Sequence, residues 1–135
     1  MRLIRTKNRL KIAVEKENEK TLIKCLNFEN YKNFDPSQYE LIEKALYGKW
    51  HTQHEDLISA ISFGGLKDDR FVEPIMDIAL KGEIFRPFDD ELEATLRKCV
   101  HALKMIDSEK SKNAIRRLKE LNNDNVKVVL EMYKD

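Results

Sequence analysis

The sequence predicts an all-α fold: a short stack of antiparallel helix pairs. Three observations lead there. Apolar residues recur at helical steps of three and four along most of the chain. Only 4 Gly and 3 Pro occur in 135 residues, too few to punctuate the tight turns of a β-sandwich. Hydrophobic residues make up 41% and charged residues 36%, with 25 bases against 24 acids. Such a chain can bury a core, unlike a disordered one with few apolar residues and a large net charge. At this length one domain covering 1–135 is expected, with 1–48 as N-terminal helices or cap and 49–135 as the repeated part and C-terminal helix.

Taken in order, Leu3 to Phe28 reads as one or two helices, with Leu22, Ile23 and Leu26 as the best stripe. The first eleven residues hold five bases (Arg2, Arg5, Lys7, Arg9, Lys11) and no acid, and are expected to be a frayed, solvated end. No apolar run follows them, since Glu15, Lys16, Glu17, Glu19 and Lys20 break the chain, so a secretion signal is not expected. Asp35-Pro36-Ser37 opens a helix carrying Tyr39, Ile42, Ala45 and Leu46 and ending at Gly48. The next runs from near Trp50 through Leu57, Ile58 and Ile61 to Gly64-Gly65. Asp68 or Asp69 restarts the chain into Val72, Ile75, Ala79 and Leu80, with Pro74 tolerated near the first turn. The cleanest stripe is Leu92, Leu96, Cys99, Val100, Leu103 and Ile106, on a helix from about 90 to 106. Asp89, Asp90 and Glu91 suit its positive N-terminal end. Asp107 or Ser108 caps a helix with Ala114, Ile115, Leu118 and Leu121. Asn122-Asn123-Asp124 separates it from a last helix with Val126, Val129, Leu130 and Tyr133.

A repeat emerges when two helix pairs are superposed. Leu66 and Ile106, Ile75 and Ile115, and Ile78 and Leu118 are each 40 residues apart. Ala60-Ile61 and Ala102-Leu103 are 42 apart, so the turns differ by two residues. A helix–turn–helix unit of about 40 residues is the period of HEAT or armadillo arrays, in which stacking of neighbours makes the core. An irregular helical bundle is the competing architecture.

Three segments carry a resemblance. Trp50-His51-Thr52-Gln53-His54-Glu55-Asp56-Leu57, Leu66-Lys67-Asp68-Asp69-Arg70-Phe71-Val72-Glu73-Pro74-Ile75 and Arg97-Lys98-Cys99-Val100-His101-Ala102-Leu103 resemble small bacterial HEAT-repeat proteins, over about residues 46–121. Asp-Asp-Arg-Phe-Val-Glu-Pro-Ile is similar to the inter-helix segment Asp-Pro-Arg-x-Val-x-Pro-Leu of that family, with Asp69 where proline is common. The resemblance implies a HEAT-like α-solenoid. It also implies an immunity protein of a polymorphic-toxin or contact-dependent inhibition system, binding and neutralising a cognate toxin, often a nuclease with a basic cleft. HEAT units serve many functions, so the fold alone does not decide this.

The residues themselves favour binding over catalysis. His51, His54 and Glu55 lie close enough on a helix start to meet one metal ion, but their spacing is neither H-E-x-x-H nor H-x-x-E-H, and His101 is isolated. They are expected to be polar residues of a helix start, with no metal and no cofactor. Cys25 and Cys99 lie in apolar stripes and are expected to be reduced, buried and unpaired. Ser59 and Ser62 stand in no nucleophile elbow, and Gly64-Gly65 is a helix stop rather than a phosphate loop. No enzyme activity is expected.

Gly82 to Asp90 joins two helix pairs with Ile84, Phe85, Arg86, Phe88 and acids, the mixture of apolar anchors and ringing charge found in contact surfaces. Candidate partner-binding residues are therefore Trp50, Phe85, Arg86, Phe88, Asp89, Asp90, Glu91 and Glu93. The two Phe rings and Trp50 have a core-packing alternative, and one ring can pack while another faces solvent. The acids, with Asp68 and Asp69, would steer a basic partner. The partner is expected to be a toxin or another protein, met by a cytoplasmic monomer with no membrane span. Net charge of +1 argues against a nucleic-acid partner. Two other readings remain: an adaptor for a different protein, or a nucleic-acid binder using the N-terminal bases with Arg116, Arg117 and Lys119.

Overall fold

The structure is a computed structural model and describes residues 2–27, 34–80, 92–120, 127, 130 and 131. All secondary structure among the described residues is helical: seven α-helices and two short 3₁₀ turns. The fold class is all-α. The chain divides into two compact units, Met1–Leu66 and Lys67–Asp135.

The first unit holds α1 (Arg2–Glu15), α2 (Glu19–Cys25), α3 (Tyr39–Tyr47) and α4 (His54–Gly64). The basic N-terminus is helical from Arg2 rather than frayed, and Leu10 and Ala13 anchor α1 in the core. Glu17 ends α1 in the left-handed region at φ 50°. Asn18 N–H bonds to Ala13 O at 2.9 Å and Glu17 N–H to Val14 O at 3.3 Å, the double closure that satisfies terminal carbonyls. Asn18 then caps α2, its side chain accepting from Thr21 N–H at 3.0 Å. Leu22, Cys25 and Leu26 are buried, but Ile23 of the predicted stripe is 50% exposed. Cys25, three residues from Leu22, takes the place assigned to Ile23.

Asp35 opens the segment before α3 as predicted, with Pro36 at the first position and a reciprocal capping box to Gln38. Ile42, Ala45 and Leu46 are buried. α4 starts at His54, not near Trp50, so Trp50, His51, Thr52 and Gln53 form the connection from α3. Its end is the predicted one. Gly65 is left-handed at φ 69°, and Leu66 N–H closes on Ile61 O at 3.0 Å.

The second unit holds α5 (Val72–Leu80), α6 (Leu92–Ile106) and α7 (Glu109–Glu120). Asp68 caps the 3₁₀ turn Asp69–Phe71 leading into α5, accepting from Arg70 N–H at 2.9 Å. Each of these three helices packs against the other two. Leu96, Cys99, Val100, Leu103 and Ile106 are buried, as their spacing requires. Asp107 is left-handed at φ 52°, and Ser108 is the cap. Ser108 and Ser111 exchange backbone-to-hydroxyl bonds of 2.9 and 3.1 Å. The residues paired by the 40-residue offset are all core residues except Ile115, which is half-buried. Of the predicted last helix only Lys127, Leu130 and Glu131 are described, and they are helical.

Candidate functional site

Of the predicted binding residues, Phe85, Arg86, Phe88, Asp89, Asp90 and Glu91 lie outside the described residues. Glu93 belongs to α6, and its side chain lies outside them too. Trp50 is placed: it is half-buried in the α3–α4 connection.

That connection is built around two histidines. His51 is 4% exposed and His54 fully buried, and their rings stack with centroids 4.3 Å apart and planes at 21°. Trp50 meets His51 edge-on at 4.5 Å. His51 Nε2 is 2.7 Å from Ala45 O, and its Nδ1 is 2.9 Å from the Gln53 backbone nitrogen. A carbonyl only accepts and a backbone N–H only donates, so the proton of His51 sits on Nε2. By the same logic His54 donates from Nε2 to Gly48 O at 2.7 Å. Burial, the main cause, holds the His51 pKa below its ordinary value, although the bond to Ala45 O and the charge of Glu19 oppose it. His51 is therefore neutral at pH 7.

Glu19, at the start of α2, fastens the connection from the other side. Its Oε2 accepts from Thr52 N–H at 2.8 Å, from Thr52 Oγ1 at 3.1 Å and from Gln53 Nε2 at 3.4 Å. These bonds, the Thr52 N–H first, hold its carboxyl below the usual carboxylate range. Gly48 completes the arrangement, because a Cβ there would lie 2.5 Å from Trp50 Nε1. His54 and Glu55 thus stand at the start of α4 as predicted, while His51 lies three residues ahead of the helix, and both histidines are buried. Among the described residues no group of His, Cys, Asp and Glu could hold a metal ion.

The two thiols are also core groups. Cys25 and Cys99 are free and buried, and desolvation pushes their pKa values up to about 11 and about 12. Both stay protonated near neutrality, the unreactive state for a thiol. Ser62 is buried on α4 and Ser59 half-buried.

The surface offers more than the interior. Phe63 is 58% exposed, Ile12 51%, Ile23 50% and Tyr47 46%, all four in the first unit. Sequence reasoning missed them because each lies beside a buried stripe. Phe63 follows Ile61 and Ser62 directly, one step beyond the positions that turn inward. In the second unit, exposed Arg97, His101 and Lys104 follow one another along α6, and Lys112, Arg116 and Lys119 along α7. A shallow pocket of about 300 Å³ is lined by Lys119, Lys127, Leu130 and Glu131.

Compared with family models, curated proteins and solved structures, the chain matches none of them. No described helix is long and apolar enough to cross a membrane.

Proposed function

We propose that this chain is a HEAT-like, non-catalytic protein-binding module, most concretely a cytoplasmic immunity protein that binds and neutralises a cognate bacterial toxin. The observation that carries the binding reading is the exposure of large apolar side chains on the first unit, Phe63 at 58% foremost. Exposed aromatic and aliphatic groups of this size are the anchors that protein partners cover. The histidines support a non-catalytic role, since the main chain engages both nitrogens of His51 and Nε2 of His54. The toxin as partner rests on the resemblance of residues 46–121 to bacterial HEAT-repeat immunity proteins. In that role the candidate contact residues are Trp50, Phe85, Phe88 and Arg86, with the acids Asp89, Asp90, Glu91 and Glu93 to orient a basic surface.

Co-expression with the product of the adjacent upstream gene tests the reading. The expected result is a stable complex and relief of that product's toxicity in the cell. A stable complex with a harmless protein would make the chain an adaptor. Toxicity that persists in the presence of this chain would overturn the immunity role.

A further inference from the structure

We propose that the exposed face of the α6–α7 hairpin binds the phosphate backbone of a nucleic-acid duplex, as a second activity separate from protein binding. Whole-chain charge conceals this feature. Over the hairpin, Leu92 to Glu120, the chain has eight lysines and arginines against four acids, Glu93, Asp107, Glu109 and Glu120, a net +4. Since the whole chain is +1, the remainder carries −3.

The hairpin also displays its charge in order. Arg97 and Lys104 are exposed on α6 seven residues apart, and Lys112, Arg116 and Lys119 are exposed on α7 at steps of four and three. Such steps keep side chains on one helix face, with rises of about 6 and 4.5 Å. The two helices pack together, and Lys104 and Lys112 flank the turn that joins them. Lys112 meets Asp107 at 3.7 Å in an exposed pair, which a phosphate can displace at little cost. Arg116 bonds to the neutral Asn113 side chain and keeps its charge available. Arg117 instead pairs with Glu73 at 3.3 Å and is not part of the ladder.

What distinguishes a nucleic acid from an acidic protein as the occupant is the lack of apolar anchors. From Thr95 to Glu120 no large hydrophobic side chain is exposed. Protein interfaces are organised around buried aromatic and aliphatic groups and deplete charge at their centre. Backbone binding to a polyanion needs only ordered cations, and carries no sequence preference.

The test is fluorescence anisotropy of the full chain with a labelled mixed-sequence duplex of about two helical turns, at about 50 mM salt. Saturable binding is expected, unchanged by scrambling the sequence. The log–log salt slope should lie near about −3 to −5, given about −0.9 per phosphate contacted. The variant K112Q/R116Q/K119Q should bind at least about tenfold more weakly and flatten the slope by about 3. The control K20Q/K24Q/K49Q removes the same charge from exposed lysines of the first unit and should change affinity less than about threefold. All six positions are exposed, and far-ultraviolet dichroism verifies that both variants keep their helices. Absence of duplex binding, equal loss in both variants, or tighter binding to polyglutamate or to phosphatidylserine vesicles would overturn the proposal.

Discussion

Both ring nitrogens of His51 are held by the main chain, and its proton inventory follows from that. A second proton would have to enter at Nδ1, where Gln53 N–H already donates, and would place a charge against the stacked ring of His54. The folded state therefore binds fewer protons than the unfolded chain, whose histidine titrates near about 6.5. Stability should be complete above that pH and decline as pH falls below it, because the unfolded state gains the proton first. Denaturant midpoints measured from pH 7.5 down to 5.5 should show this decline, and His51→Leu should flatten it. Gly48 makes a second residue-scale case. Its φ is an ordinary −68°, so glycine is favoured there by close approach, chiefly of the Trp50 indole and secondarily of Ala45 O at 3.3 Å from a Cβ. Gly48→Ala should cost about 1–3 kcal/mol through displacement of Trp50. A double-mutant cycle with Trp50→Leu should recover much of that loss, and a purely additive cycle would show the clash to be irrelevant.

At the scale of elements, helix ends were legible wherever a single residue type determines the conformation. Asp35-Pro36, Gly65, Asp68 and Ser108 all terminate or start helices as side-chain chemistry dictates. Glu17 and Asp107 turn left-handed without being glycine, and no local signal marks them. The neighbours decide: Asn18 and Ser108 each cap the next helix, which fixes where the previous chain must reverse. Glu17 stores some of the cost of that reversal. Glu17→Gly should raise unfolding free energy by up to about 1 kcal/mol, read from chemical denaturation, because glycine adopts this conformation freely. The connection before α4 shows what sequence pattern misses. His51 and His54 are polar residues three apart beside an apolar run, so they extend the helical pattern backwards. Bonds to partners outside the helical pattern, from His51 to Ala45 O, from His54 to Gly48 O and from Thr52 N–H to Glu19, accompany the exclusion of Trp50 to Gln53 from the helix. Periodicity contains no information about such partners.

For the whole molecule, the core was the more legible half. The α6 stripe and the 40-residue correspondences mark buried positions because burial itself imposes helical spacing. Surface function leaves a weaker trace, since nothing in a period says which exposed residue meets a partner. Charge distribution is the exception. Residues 67–96 hold nine acids and four bases, directly ahead of the basic hairpin. Like charge gathered in one segment speeds encounter with an oppositely charged partner more than it lengthens the life of a complex. If the proposed basic toxin is the partner, Asp89→Lys with Asp90→Lys should therefore slow association with it more than it speeds dissociation. Surface plasmon resonance at two salt concentrations would separate the rates, and an unchanged association rate would remove these acids from the recognition surface.

Each compact unit contains one sulfhydryl, Cys25 in the first and Cys99 in the second, both shielded from solvent. Nature has thereby installed a matched pair of internal clocks. An alkylating reagent can reach either sulfur only when the packing around it opens, so mass spectrometry of the two peptides would time the two local openings separately in the unmodified chain.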